Sequence, residues 1–193
     1  MARVKQFDQN EVLEKAMNLF WNKGYHATSM QDLVDHLGIN RASIYATFES
    51  KNELFNKSIS LYQELETKRI ADFLYQYVNV RQGLYYLFET DVQKACSSTT
   101  KNGCFLINSI AELANTNHDI CAQLSIYQGN FERAFINYLQ YGVNQGQISP
   151  YKDIYAIANY LFILQGGFKT VSKIQHNSTE LTKTITIGLT ILD

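Results

Sequence analysis

The sequence predicts an all-α protein in which a short three-helix unit is joined by a long helix to a larger helical part. In the first fifty residues, short segments of helical apolar spacing are bounded by capping residues and glycines. From residue 51 onward the helical spacing continues, and no alternating pattern persists long enough to build a sheet. The 193 residues, 46% of them hydrophobic, are enough to bury a real core.

The first predicted helix begins after Asp8 and ends at Gly24. Asp8 followed by Glu11 has the spacing of a capping box, in which each side chain satisfies a free amide at the helix start. Gly24 ends the helix because glycine adopts a left-handed conformation at the lowest cost. The apolar stripe between these ends consists of Val12, Leu13, Ala16, Met17 and Phe20.

The second and third helices are predicted to be short and joined by a glycine turn. Ser29 and Asp32 cap the second helix, whose apolar residues are Met30, Leu33, Val34 and Leu37. Gly38 ends it, and Asn40 caps a third helix from residue 41 to about residue 48. Two helices of about eight residues are not stable alone and need the first helix as a third wall. This arrangement is a helix-turn-helix.

Ser50 and Glu53 open a long helix that is predicted to run from Lys51 to about Tyr75. The remaining predicted helices cover about residues 81–95, 104–114, 119–145, 153–172 and 178–192. Polar runs separate them. We expect two domains, residues 1–50 and residues 51–193.

Composition narrows the class of protein. No stretch approaches the roughly 20 apolar residues that span a bilayer, and the first residues lack the apolar region of a secretory signal, so we expect a cytoplasmic protein. The three cysteines, Cys96, Cys104 and Cys121, lack the spacing of a disulfide framework or a zinc site. The four histidines have no neighbouring nucleophile or carboxylate pair, so we expect neither an enzyme, nor a metal site, nor a cofactor.

Net charge alone does not indicate a nucleic-acid partner. The formal net charge is −1, and residues 1–51 carry six basic and six acidic side chains. A basic surface must therefore come from where the charges point, and not from their sum.

Residues 27–51 (ATSMQDLVDHLGINRASIYATFESK) resemble the DNA-binding segment of the TetR family of repressors. The likeness covers about residues 8–55 and includes Gly38, the pair Ile44 and Tyr45, and the ending at residues 48–51. A weaker likeness to one branch of the family's C-terminal domains involves residues 103–108, 112–114, 146–148 and 165–167. The resemblance implies an all-helical fold, a homodimer through the last two helices, and a ligand pocket in a C-terminal ligand-binding and dimerisation domain.

In a helix-turn-helix the second helix of the pair enters the major groove and the first crosses the backbone. We therefore expect Arg41 to contact a guanine or a phosphate, and Tyr45 and Lys51 to contact phosphates. The full predicted DNA-binding set is Thr28, Ser29, Gln31, Asn40, Arg41, Ala42, Ser43, Tyr45, Ala46, Thr47 and Lys51. Because one unit contacts few bases, a homodimer on palindromic double-stranded DNA is expected.

The C-terminal part is rich in aromatic residues. Core packing accounts for most of them, but some are expected to line a mostly apolar pocket for a small-molecule effector. The predicted lining is Tyr85, Phe88, Phe105, Asn108, Tyr127, Phe131, Phe162 and Gln165. The pair Gly166 and Gly167 predicts either a close approach of two helices or a kink.

Together these features predict a ligand-responsive DNA-binding regulator, a repressor that an inducer releases from a palindromic operator. An alternative is a repressor that senses thiol-reactive molecules through Cys104, because a helix N-terminus lowers a thiol pKa. A buried, unreactive thiol is the simpler interpretation of the same residue. A purely structural helical scaffold would not need exposed Arg41, Tyr45 and Lys51 in a capped pair of short helices.

Overall fold

Nine α-helices and one terminal 3-10 helix make up the part of the chain that the structure, a computed structural model, describes: residues 7–97, 102–115, 118–174 and 177–193. The helices are α1 Gln9–Lys23, α2 Met30–Leu37, α3 Arg41–Phe48, α4 Lys51–Leu74, α5 Val80–Ser97, α6 Phe105–Leu113, α7 His118–Asn144, α8 Ile154–Val171 and α9 Ser178–Gly188, with the 3-10 helix at Leu189–Leu192. No strand occurs within these ranges. The all-α prediction is confirmed.

The start of α1 differs in one detail from the predicted capping box. The Asp8 carboxylate accepts a hydrogen bond from the backbone N–H of Asn10, at 2.8 Å. Glu11 instead forms an ion pair with Lys15 at 2.7 Å, one turn further along the helix. This is the spacing at which opposite charges meet on a helix surface.

Local capping defines α2 and α3 as predicted. The Ser29 hydroxyl accepts from the backbone N–H of Asp32 at 3.0 Å, and the Asp32 carboxylate accepts from the Ser29 backbone N–H at 2.7 Å. Gly38 then adopts a left-handed conformation with φ of 69°. The Asn40 side chain accepts from the backbone N–H of Ser43 and opens α3. These bonds fix the turn that sets α3 relative to α2.

Helix α4 belongs to both halves of the molecule. Its first turns bury Leu54 and Phe55 against α1, where the Phe55 ring meets the edge of Phe20 at 5.2 Å. Further along, α4 packs against α5, α6 and α7. Within the described ranges, the buried apolar side chains from Val12 to Leu192 form one continuous core.

The C-terminal helices pack around α7. Helix α8 lies along α7, and α9 packs against α5. Helix α8 runs unbroken through Gly166 and Gly167. A Cβ atom on Gly166 would lie 3.1 Å from the Ile107 side chain of α6, so this glycine permits a close helix crossing, whereas a Cβ on Gly167 would meet open space. Among the described residues, no helix has the length and apolar character needed to cross a membrane.

Candidate functional site

The surface of α3 is the first candidate site. Ile44 and Phe48 are buried and anchor the helix to the core, whereas Arg41, Ala42, Tyr45 and Ala46 are exposed. Ser43 and Thr47 are half-buried. The phase of the helix therefore places the predicted reading face at the surface.

The charges around α3 leave one guanidinium free. Lys23 forms an ion pair with Asp32 at 2.6 Å, and this bond together with the Ser29 cap holds the pKa of the Asp32 carboxyl well below its usual range. Lys15 is paired with Glu11. Within the part of the chain that the structure describes, Arg41 has no ion-pair partner, so an exposed cation is available on a helix that otherwise presents Tyr45 and small side chains.

Three of the predicted contact residues already make hydrogen bonds at helix starts. The Ser29 hydroxyl donates to the Asp32 carboxylate at 2.6 Å. The Gln31 amide donates to Asp35 at 2.8 Å, and the Asn40 oxygen accepts from the Ser43 backbone. All three side chains are exposed. Any contact with another molecule must use the hydrogen-bonding capacity that these bonds leave.

The prediction that Thr28 anchors a phosphate is wrong. Its side chain is fully buried, and its hydroxyl donates to the Gly24 carbonyl at 2.5 Å. Its backbone N–H donates to the Tyr25 carbonyl at 3.3 Å. Thr28 therefore stabilises the turn between α1 and α2, because both of its donors are used inside the protein.

Lys51 has a structural contact that the sequence did not predict. Its ammonium lies 4.3 Å from the centre of the Tyr25 ring, at the distance of a cation–π contact. Burial lowers the pKa of Lys51, and the carboxylates of Glu112 and Asp32 partly offset that effect. The half-buried lysine thus helps to hold the α1–α2 turn against the start of α4.

A carboxylate from α6 reaches the same turn. The Glu112 side chain accepts hydrogen bonds from the backbone N–H groups of Tyr25, at 3.0 Å, and His26, at 2.7 Å. Gly24 lies so close that a Cβ there would be 2.9 Å from a Glu112 oxygen. This contact joins the helix-turn-helix unit to the C-terminal helices.

The second candidate site is a cavity of about 330 Å³ between α1, α4, α5, α8 and residues 102–103, which precede α6. The Trp21 and Tyr62 rings form part of its wall. The charged residues that line it are Glu66, Arg69, Asp91, Lys94, Lys169 and Lys173. We call this site the charged cavity.

Four of these groups form a closed network. The Glu66 carboxylate lies 2.6 Å from both Arg69 and Lys169. Asp91 lies 3.1 Å from Arg69 and 3.9 Å from Lys169, and it also accepts from the Gln165 amide at 2.7 Å. Burial by itself raises the pKa of Glu66, but Lys169 and Arg69 outweigh it and lower the pKa to about 2.

Burial also acts on the two cations of this network. It lowers the pKa of Lys169, but Asp91 and Glu66 reverse the direction, and the net pKa is raised. The pKa of Arg69 is likewise raised against burial by Glu66 and Asp91. Glu66, Arg69 and Lys169 are therefore charged at neutral pH.

None of the eight residues that we predicted as pocket lining lines the charged cavity. Phe88, Phe105, Phe131 and Phe162 are buried in the core, where aromatic rings bury the most apolar area. Tyr85 and Tyr127 lie outside the charged cavity. The Tyr85 hydroxyl donates to Glu89, and the Tyr127 hydroxyl donates to the Asn56 carbonyl. Gln165 and Asn108 do not line the cavity, but each bonds to a residue that does. The Gln165 amide donates to Asp91, and the Asn108 oxygen accepts from Lys173.

The sequence does contain a signal for the charged groups that we missed. Asp91 falls in register with the buried Leu84, Leu87 and Phe88 on α5. Lys169 follows the buried Phe162, Gln165 and Gly166 at helical spacing on α8. A charged residue within an apolar stripe must be paired when it is buried, and here the two stripes face each other.

The three cysteines are free thiols. Cys104 is buried at the start of α6, and its Sγ accepts a hydrogen bond from the Tyr62 hydroxyl at 3.5 Å. Burial and the neighbouring Cys104 raise the Tyr62 pKa well above its usual range. Across the described ranges, no group of three histidine, cysteine or acidic side chains is placed to hold a metal ion.

Family models match both halves of the chain. The model described as bacterial regulatory proteins of the tetR family matches residues 12–57, and the model of a tetracyclin repressor-like C-terminal domain matches residues 83–187. Among curated relatives, the HTH-type transcriptional repressor ComR of Escherichia coli is 33% identical over 86% of this chain and 80% of its own length. The HTH-type regulator YezE of Bacillus subtilis is 28% identical over the full length of both chains.

Solved structures share the fold. The TetR-family regulator CifR, solved as a cysteine mutant with 26-bp operator DNA, superposes with a TM-score of 0.86 at 22% identity over all of both chains. The regulator FadR of Bacillus subtilis, solved with stearoyl-CoA, superposes with a TM-score of 0.74 at 14% identity over 96% of this chain and 97% of that one.

Proposed function

Because the chain belongs to the TetR family of bacterial regulatory proteins, which makes it a DNA-binding transcriptional regulator and not an enzyme, we propose that it is a repressor. It binds a palindromic operator as a homodimer, and a small-molecule inducer releases it. The observation that carries this proposal is the surface of α3, where Arg41 is exposed and unpaired within the described ranges beside Tyr45 and two alanines.

Residues 1–50 are the proposed DNA-binding domain, with α3 in the major groove. Arg41 forks onto a guanine or a phosphate, and Ala42 and Ala46 let the helix sit deep against thymine methyl groups. Tyr45 and Lys51 contact phosphates, together with the free capacity of Ser29 at the start of α2. The other proposed contacts are Gln31, Asn40, Ser43 and Thr47. CifR shares this fold and was solved with operator DNA, which supports DNA binding by the same fold here.

The proposed homodimer pairs α8 and α9 of each subunit in a four-helix bundle. An exposed apolar stripe runs down α8 through Ile163, Gly167 and Val171 to Ile174 just beyond its end. Ile187 of α9 is 69% exposed, and Ile174 is 84% exposed. A contiguous apolar surface of this kind is typical of an interface. Residues 51–193 are accordingly the proposed ligand-binding and dimerisation domain.

The proposed inducer acts by shifting a population of conformations. It binds more tightly to the arrangement in which the two recognition helices are badly spaced, so DNA and inducer weaken each other's binding by the same factor. Helix α4 is suited to carry this coupling. Its 24 residues include Leu54, which is buried where α4 packs against α1 of the DNA-binding domain, and Tyr62, Glu66 and Arg69 in the wall of the charged cavity.

A second candidate is a repressor that responds to electrophiles through Cys104. The observation in its favour is the position of the thiol at the start of α6, next to Gly103 of the cavity wall and in contact with Tyr62. With iodoacetamide, the Cys104 sulfur would form a bond to carbon, iodide would leave, and the thiol proton would pass to solvent. This candidate requires iodoacetamide to release DNA from the wild type and from Cys121→Ser, but not from Cys104→Ser. Equal release from all three would eliminate it.

The main proposal is tested by footprinting the protein on the DNA upstream of its own gene and on duplexes selected from a random library. We expect two protected half-sites separated by about 34 Å or a multiple of it, and binding that weakens steeply with salt. Arg41→Ala combined with Tyr45→Phe should abolish protection with the fold intact by circular dichroism. Arg133→Ala, which removes an exposed arginine from α7, should not change it.

Footprints repeated with candidate inducers test the release step. A monomeric protein that binds no duplex at low ionic strength would overturn the repressor proposal. Protection that survives the double variant would overturn the assignment of α3 as the reading helix.

A further inference from the structure

The walls of the charged cavity carry more positive than negative charge. The two carboxylates, Glu66 and Asp91, are each in contact with both Arg69 and Lys169, so these four groups balance one another. Lys94 and Lys173 also line the cavity, and no carboxylate among the described residues pairs with either of them. The lining therefore has two cations in excess.

Lys173 is held in place by neutral groups. Its ammonium donates to the Asn108 oxygen at 2.8 Å, and the Asn108 amide donates to the Asn102 carbonyl at 2.6 Å. An ammonium has three donors, so this bond leaves two of them for a ligand. The Lys173 ammonium is therefore held in position, but no carboxylate among the described residues neutralises its charge.

Gly103 makes room for this lysine. It adopts a left-handed conformation with φ of 67°, and a Cβ there would lie 2.3 Å from the Lys173 side chain. The left-handed φ itself favours glycine here, and any other residue would also move the end of the Lys173 side chain from this position. The Lys173 side chain is thereby packed against the cavity wall, and its ammonium is held at the Asn108 amide.

Part of the remaining wall is suited to an apolar body, beside the polar Asn102 and Ser172. The rings of Trp21 and Tyr62 line the cavity together with Ala95. The volume of about 330 Å³ is at the lower end of the range for small-molecule sites and is too small for a polymer. A cationic ligand would meet two unpaired lysines, which disfavour it.

We propose, on the basis of the repressor function above, that the charged cavity binds a small organic acid as its anion. The anionic oxygens are held by Lys173 and Lys94, and the apolar body lies against Trp21 and Tyr62. Because Trp21 belongs to α1, one wall of this site is supplied by the DNA-binding domain itself. Binding of the anion thus depends on how α1 sits against α4, α5 and α8.

Trp21 is the single tryptophan of the chain, so tryptophan fluorescence reports on the surroundings of this one ring in the cavity wall. Three probes of similar size separate charge from shape: benzoate, phenyl phosphate and the neutral benzamide, at millimolar concentration and constant ionic strength. We expect at least one of the two anions to change the emission saturably, and benzamide to bind about tenfold more weakly or not at all. The better anion shows whether the site prefers a carboxylate or a phosphate group.

Lys173→Gln and the exposed Lys94→Gln should each weaken binding of that anion about tenfold and leave benzamide unaffected. Lys68→Gln, an exposed lysine of α4 outside the cavity, is the control and should change nothing. Any of three results would overturn the assignment. Benzamide could bind as tightly as the anions, no probe could change the emission, or the double variant Lys173→Gln/Lys94→Gln could bind the anion as the wild type does. The footprint of the wild type is measured separately, so loss of this inference and loss of the repressor function are distinguishable.

Discussion

The Glu112 carboxylate accepts a hydrogen bond from the backbone N–H of Tyr25, across 87 positions of sequence. Its second oxygen accepts from the N–H of His26 at 2.7 Å. Glu112 lies near the end of α6 and Tyr25 lies in the turn between α1 and α2, so the two bonds tie the C-terminal helices to the helix-turn-helix unit. Hydrogen bonds to an ionised acceptor are roughly twice as strong as neutral ones.

Glu112→Gln should loosen this connection. Each N–H group bonds to its own carboxylate oxygen, and in glutamine one of those oxygens is replaced by an NH₂ donor, so in this geometry one N–H group loses its acceptor. We expect the amides of Tyr25 and His26 to exchange with solvent about tenfold faster, and the free energy of unfolding to fall by roughly 1–2 kcal/mol. Hydrogen exchange followed by NMR measures the first effect, and urea unfolding measures the second. The matched control is Glu64→Gln on the exposed face of α4. Unchanged protection at both amides would show that the contact is not formed in solution.

Thr28→Val distinguishes a structural role from a DNA contact. Valine keeps the shape of the side chain but removes the buried hydroxyl that donates to Gly24, so we expect a loss of roughly 1–2 kcal/mol in the free energy of unfolding. The dependence of DNA affinity on salt should stay as in the wild type, because no phosphate contact is lost. A decrease of about one in the slope of log affinity against log salt concentration would instead assign Thr28 to the DNA interface. Ser97→Ala, which removes an exposed hydroxyl bonded to the Gln93 carbonyl, should have little effect on stability.

The parts of this molecule that local sequence determines are the parts that could be predicted. The caps of α2 and α3 depend on residues three positions apart, such as Ser29 with Asp32 and Asn40 with Ser43, and the structure forms each of them. The long α4 follows from apolar spacing in the same way, whereas the sequence left open whether α8 kinks at Gly166 and Gly167. Because the Asn40 cap fixes where α3 begins, the residues on its exposed face could be predicted as well.

The charged cavity could not be predicted because its parts come from distant segments. Glu66, Asp91 and Lys169 lie on three helices, and only the packing of those helices brings the charges within 4 Å. The predicted aromatic lining did not point to this cavity, because an aromatic ring in a core and one in a pocket have the same pattern in the sequence. The burial of Thr28 is likewise set by how the α1–α2 turn closes, and not by its neighbours in sequence.

Acid should unfold the protein partly through Glu66. Its pKa is lowered from 4.5 to about 2 in the folded protein, so folding favours the ionised form. The resulting stability is fully present above pH 4.5 and is lost as the pH falls toward 2. This pKa shift corresponds to a contribution of Glu66 to the free energy of unfolding on the order of 3 kcal/mol.

Glu66→Gln should therefore flatten the decline of the unfolding free energy in this acid range and lower the stability at neutral pH. Urea unfolding at a series of pH values measures both. The comparison is with Glu64→Gln, two positions away on the exposed side of α4, which should follow the wild type. An identical acid slope for Glu66→Gln and the wild type would contradict the ion-pair network.

Gly167 lies in the middle of the exposed α8 stripe, and a Cβ there would meet open space within one subunit. Gly167→Arg should thus leave the subunit folded, and even favour the helix by roughly 0.5–1 kcal/mol, because arginine is a better helix former than glycine. In the proposed dimer the same side chain would bring a charge into an apolar interface. We expect the dimer dissociation constant to rise about a hundredfold or more, roughly 3 kcal/mol, as measured by sedimentation equilibrium.

Gly129→Arg provides the matched control, since this exposed glycine of α7 also faces open space but lies outside the stripe. Should Gly167→Arg remain as dimeric as Gly129→Arg, the subunits do not pair through this face of α8, and the two recognition helices must be spaced by another interface.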